Sequence, residues 1–414
     1  MKKTLFLAVL VLMSAGCMAQ KANVKKAKSY ALNTESPNFT EARRLIGEAI
    51  ENPETANQAE TYYVAGLIGY QENMMIVMNS VLSGGVDQAQ CGAAVTESYD
   101  YWLKADELAM IPTLDKKGRE VVDTKTRSNI AKKMLEYYKG QNFIQYGLYL
   151  NDQRDFANAY HAFMKHVEMP DLPMMQDPKM QKEMQKDTTY YLYMYYAGLF
   201  ASQAEMHKEA VDIFEQLKDG ETEPVTCNQI LYQEYVALGD TAASLVVLQH
   251  AMEKFPQEAW FLQNMINYYV YSDQSEKAIE YLNEAIERDP TQAQYYYSKG
   301  TLELSLTHYA AARENFQKAL ELDPKMTNAV AGMGRAYYFE GMQMNEEASS
   351  INDTKAYKAA LAKANDVFRQ SMPFFEQAHE MEPDNRDHMN FLRGLYYRFD
   401  MTDKYNAIME KLNQ

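Results

Sequence analysis

The stretch EYLNEAIERDP at residues 280 to 290 returns, nearly unchanged, as ENFQKALELDP at residues 314 to 324. The segment EKFP at 253 to 256 adds a third mark, so that Pro256, Pro290 and Pro324 stand at a period of 34 residues. That period constrains folding more than any composition does. One unit of this size cannot bury its own apolar face and must stack on its neighbours, which makes an array the expected architecture. With the prolines as phase marks, four contiguous units run over residues 191 to 224, 225 to 258, 259 to 292 and 293 to 326.

Each unit reads as two amphipathic helices. In the unit from Ala293, the first helix carries Tyr296, Gly300 and Leu304, and the second carries Tyr309, Ala312, Phe316, Ala319 and Leu320. These lie at the three- and four-residue steps of one helix face, and Asp323 and Pro324 end the run. Gly300, Ala312 and Ala319 have almost no side chain, so paired helices can approach closely there while Tyr296 and Phe316 fill the flanking space. Gly198, Ala210 and Phe214 repeat the arrangement three periods earlier. The unit from Ala259 keeps Ala278, Leu282 and Ala285 but has Ile266 at the glycine place. The unit from Val225 has Tyr232 there, with Leu231, Leu248 and Ala251 retained.

These residues resemble the tetratricopeptide repeat, a 34-residue helix-turn-helix with a large residue early, then a leucine-like residue and a glycine, two alanines in the second helix and a terminal proline. The resemblance covers residues 191 to 326 and returns at 140 to 173 with Phe143, Tyr146, Gly147, Ala159 and Phe163. It implies an all-α fold, a right-handed superhelical solenoid of helix-turn-helix repeats, here with two insertions. One insertion lies near 75 to 93, where VLSGGVDQAQCG reads as a loop between Tyr62, Ala65 and Gly66 and the displaced pair Trp102 and Ala105. The other lies near 341 to 366, where about 25 residues exceed the period. There the expected features are a polar loop at NEEASSINDT and a long helix over 355 to 382, kinked at Pro373. Residues 112 to 135 and 171 to 188 read as loops or irregular helices, and 386 to 414 as a cap. The expected divisions are a signal segment at 1 to 19, degenerate repeats at 20 to 135, a regular array at 136 to 326 and a carboxy-terminal unit at 327 to 414.

The opening MKKTLFLAVLVLMSAGCMAQ joins two lysines to an apolar run and small residues, the anatomy of a bacterial secretory signal. Two processing readings stand: cleavage after Ala19, or lipidation of Cys17 at a lipobox that lacks its leucine. The protein is therefore expected to be exported and periplasmic, or held at the outer membrane as a lipoprotein. Beyond this segment no run reaches the ~18 apolar residues needed to span a bilayer. Removing residues 1 to 19, which hold two lysines and no acid, takes the formal charge from −16 to −18. Such a chain has no basic face for a phosphate backbone, and nucleic acid is not an expected partner. Cys91 and Cys227 lie 136 residues apart, too far along a solenoid to pair, and read as small buried hydrophobes.

Little in the sequence suggests catalysis. His161 and His166 are five apart, which points them in different directions on a helix, and no paired metal-ligand motif accompanies them. The glycines at 332 and 334 lack the third glycine of a phosphate loop. We expect no enzyme activity, no cofactor and no metal. In the tetratricopeptide family the inner groove is lined by particular first-helix positions, and the resemblance carries these by phase onto Leu192, Tyr195, Leu199, Gln229, Gln233, Trp260, Gln263 and Asn267, then onto Gln294, Tyr297, Thr301, Asn328, Arg335 and Tyr338. Amides and aromatics of this kind suit an extended peptide or a helix. The expected function is a protein-interaction scaffold of the bacterial envelope. The alternatives are a glycan-binding lipoprotein, or a helical-toroid hydrolase with two carboxylates across a cleft.

Overall fold

The structure, a computed structural model, describes residues 21–413. The signal segment and Cys17 lie outside the described residues. The chain divides into two compact units whose boundary, between Ser244 and Leu245, falls inside one helix.

The first unit starts with α1 (residues 21–31), α2 (Phe39–Glu51), α3 (Ala59–Ser83) and α4 (Gln88–Ala109). A small antiparallel hairpin follows, β1 (Thr113–Leu114) against β2 (Glu120–Val121), with Thr113 opposite Val121. Then come α5 (Thr124–Lys139), α6 (Asn142–Asp152) and α7 (Phe156–Glu168), two 3-10 turns, and the short α8 (Pro178–Glu183). Helices α9 (Thr188–Gln203), α10 (His207–Leu217) and α11 (Pro224–Ala237) complete the unit before α12 (Thr241–Lys254) crosses the boundary. The core gathers around Trp102, which is fully buried and donates from Nε1 to the Tyr63 carbonyl at 3.2 Å. Tyr70 and Tyr137 pack on its ring at 5.8 Å and 5.9 Å.

The second unit continues with α13 (Ala259–Tyr271), α14 (Ser275–Arg288), α15 (Ala293–Ser305), α16 (Tyr309–Leu322), α17 (Thr327–Ser349), α18 (Thr354–Met381), α19 (Arg386–Arg398) and α20 (Thr402–Leu412). Consecutive helices pack pairwise from α13 to α20, and α15 also meets α17. The expected apolar stripe is the one buried: Gly300, Ala312, Phe316 and Ala319 are inside, with Tyr296, Leu304 and Leu320 half-buried against them. Phe368, Phe375, Leu392 and Leu412 make a second core that holds α19 and α20 onto α18.

The turns inside the hairpins follow the same period. Glu205, Gly239, Asp273 and Thr307 have φ of 58°, 73°, 57° and 62°, each 34 residues from the next. The amide after each donates back five residues, as in Met206 to Ala201, Gln274 to Tyr269 and His308 to Glu303, at 2.8 to 2.9 Å. This closes the exposed carbonyls at the helix end. Only one of the four is glycine, so the turn carries no glycine signature in the sequence.

The insertions differ from the loops expected of them. VLSGGVDQAQCG is helical except at residues 84–87, with Gly84 at φ 77° ending α3, so the extra residues lengthen α3 and α4. NEEASSINDT likewise lengthens α17 as far as Ser349, and only residues 350–353 turn. Continuing a helix satisfies one backbone pair per added residue, whereas a loop must find partners for each. Residues 112 to 135 are more regular than expected, since they hold the hairpin and most of α5. Helix α5 spans residues 135 and 136, and α17 begins at Thr327.

Candidate binding face and cavity

Three first helices of the second unit carry most of the expected groove. On α13, Phe261, Leu262, Met265 and Ile266 are buried, while Gln263 and Asn267 are exposed on the opposite stripe. Trp260 is half-buried, its ring edge-on to Phe261 at 5.2 Å. On α15, Gln294 and Thr301 are exposed. Tyr297 is half-buried, 6.0 Å from Phe316, in the cluster that includes Ala329 and Met333. That cluster brings the α15 position beside α17, which carries exposed Asn328 and half-buried Arg335 and Tyr338. Arg335 lies close enough to buried His388 to oppose its protonation, adding to the larger effect of burial in lowering its pKa. Tyr338 packs against Phe368 at 5.2 Å and Phe391 at 5.0 Å.

In the first unit, Tyr195 is half-buried with its ring 6.2 Å from Phe214, Gln229 is half-buried and Gln233 is exposed. Leu192 is exposed, and Leu199 is half-buried. One polar cluster lies among these helices. Glu234, 4% exposed, accepts a hydrogen bond from the Ser202 hydroxyl and stands 2.6 Å from His207 Nδ1. Serine and histidine here share one carboxylate instead of forming a chain, so the histidine is not placed to take the serine proton. The cluster ties α9 and α10 to α11.

Each insertion builds a cavity wall. In the first unit, Met74, Met75, Val77 and Met78 of the lengthened α3 line a space of about 640 Å³ with Tyr70 and Glu136. In the second, the lengthened α17 and α18 enclose about 840 Å³ between the turn at Thr307 and α19. Tyr338 lines this cavity and so joins the groove stripe to it. Arg398, left in the cap by sequence reading, lines it too. Its sequence signal is an arginine among aromatics, GLYYRF at residues 394 to 399. Among the described residues, no group of three or more histidine, cysteine, aspartate or glutamate side chains could hold a metal ion. None of the described helices is long and apolar enough to cross a membrane.

The tetratricopeptide repeat model matches residues 267–292 and 293–326. No curated protein matches the chain. Among solved structures, the chain is similar to a crystal structure of MamA, at 16% identity over 44% of this chain and 95% of that one, with a TM-score of 0.35. It is also similar to MamA from Desulfovibrio magneticus RS-1, at 14% identity over 47% of this chain and 96% of that one, with a TM-score of 0.34.

Proposed function

We propose that this chain is a non-catalytic scaffold of the bacterial envelope that holds a peptide or helix of a partner protein on its first-helix face. The observation that carries the reading is the split character of α13 and α15. Their apolar residues are buried in the repeat, while Gln263, Asn267, Gln294 and Thr301 remain exposed along one stripe, continued by Asn328 on α17. Exposed amides offer both a donor and an acceptor to an extended backbone, and half-buried Trp260 and Tyr297 add aromatic area at low entropic cost. The match of residues 267–326 to a repeat whose first helices line a groove supports the same face. Export rests on the opening segment, with the chain either free in the periplasm or anchored through Cys17.

The test is crosslinking capture from detergent-solubilised envelopes with the native tagged protein, run beside a Gln263→Ala, Asn267→Ala, Asn328→Ala variant. A partner crosslinked to residues 259–340 and lost in the variant supports the scaffold, and the mass of the peptide containing residue 17 reports its processing. Equal capture by both proteins would reject this face.

A further inference from the structure

We propose that the cavity beside α19 is a receptor for a carboxylate carried on a flat apolar skeleton, with Arg398 as the group that reads the anion. The proposal is independent of the scaffold reading.

Arg398 differs from three other arginines that bond across helices. Arg43 pairs with Glu97, Arg127 with Asp106 and Arg313 with Glu340. Arg398 instead donates from Nε to the Asn365 side-chain oxygen at 2.8 Å and from Nη2 to that of Asn345 at 2.7 Å. Its guanidinium lies 4.1 Å from the centroid of the Phe368 ring. Two neutral amides and a ring face therefore fix the plane of the cation without cancelling its charge. A guanidinium has five N–H groups, and these bonds use two. Burial works against the charge and lowers its pKa, an effect that Tyr338 offsets in part. Among the described residues no carboxylate lies within 4.0 Å of this half-buried cation, an arrangement that costs free energy until an anion arrives.

The remaining N–H groups suit a ligand of matching shape. A planar, stacked guanidinium meets a carboxylate through two parallel hydrogen bonds. The walls favour an apolar body behind that head: Leu304, Tyr338, Phe339 and Met342 line the same space. A volume of about 840 Å³ is far larger than a carboxylate alone and falls within the ordinary range for small organic ligands. Exposed Glu346 also lines the cavity, and its charge opposes every anion in proportion to charge, a multiply charged phosphate more than a single carboxylate. The same chemistry is found in a free aromatic acid and at the carboxy terminus of a peptide.

Calorimetric titration of the full chain tests this with N-acetylphenylalanine, its uncharged amide, inorganic phosphate and the tripeptide Ala-Ala-Phe. The acid should bind at least ~10-fold more tightly than the amide or phosphate, the difference expected of a charge-assisted bidentate pair. Arg398→Lys keeps the charge but loses the fork and should weaken the acid ~10-fold. Because Arg398 also links α19 to α17 and α18, a second variant leaves it intact: Met342→Trp, at an exposed wall position, should abolish binding with the melting temperature unchanged. A tripeptide that binds more tightly than the acid assigns the site to a chain terminus, and equal binding assigns it to a free acid. Equal affinity for acid and amide, equal affinity for phosphate, or no binding of either acid or tripeptide at millimolar concentration overturns the proposal.

Discussion

A Cβ on Gly300 would stand 2.8 Å from Cδ1 of Phe316, sixteen residues further on. The pair recurs at the same separation as Gly147 with Phe163, where the approach is 2.4 Å, and Gly198 with Phe214, at 2.8 Å. Gly334 faces Phe375 at 3.1 Å, with the second insertion between them. Where the glycine is lost, its partner shrinks: Ile266 takes the glycine place and Leu282 the phenylalanine place, both buried. Each hairpin closes at one point where the size of one side chain limits that of the other, as dense packing requires.

Gly300→Ala should therefore destabilise the second unit by about 1–2 kcal/mol, because overpacking outweighs the helix propensity gained. Phe316→Leu in the same chain should recover part of that loss. Urea denaturation of the two single variants and the double variant checks this, and simple additivity would show that the two side chains do not share the space.

Thr307 holds φ 62°, a conformation that a β-branched residue adopts at a cost of about 1 kcal/mol or more. Gly239 occupies the same turn two periods earlier. Thr307→Gly should raise the urea midpoint by the equivalent of about 0.5 kcal/mol, since greater freedom in the unfolded chain offsets part of the relief.

His166, 2% exposed, stacks on Tyr138 at 4.3 Å with its Nδ1 unpartnered among the described residues, and burial lowers its pKa from 6.5 to about 4. The folded state resists a proton that the unfolded chain accepts. Its stability contribution is whole above pH 6.5 and is lost as pH falls toward 4, on the order of 3 kcal/mol in total. Chemical denaturation between pH 7 and 4 should show this slope, reduced in His166→Phe.

The groove positions should separate by burial. Alanine at exposed Gln263, Asn267 or Asn328 should change stability by no more than about 0.5 kcal/mol. Trp260→Ala and Tyr297→Ala should each cost about 1 kcal/mol or more, since their rings rest on Phe261 and Phe316. Thermal melts of the single variants decide whether any loss of partner capture reflects binding or folding.

Cys91 and Cys227 are buried free thiols, and burial raises both, Cys227 to about 12. Neither should react with a thiol-specific disulfide reagent at pH 7.5 in the native protein, while both should react in denaturant. Fast labelling of one thiol in the folded state would show that its helix opens locally.

The 34-residue period by itself determined the paired helices, the buried stripe and the close approach at its small residues, because every one of these is an interaction within a unit or between adjacent units. Pattern and packing then repeat together, and one unit reads out the next. The insertions broke that correspondence. The runs VLSGGVDQAQCG and NEEASSINDT look like loops taken alone, yet outside residues 84–87 and 350–353 each extends helices already nucleated on the hairpin beside it. The left-handed turns were illegible for another reason: a backbone ladder imposes them on glutamate, aspartate and threonine. Only the tertiary structure placed Arg398 against Asn345, Asn365 and Phe368, residues 30 to 53 positions away with an insertion between, where no period relates one side chain to another.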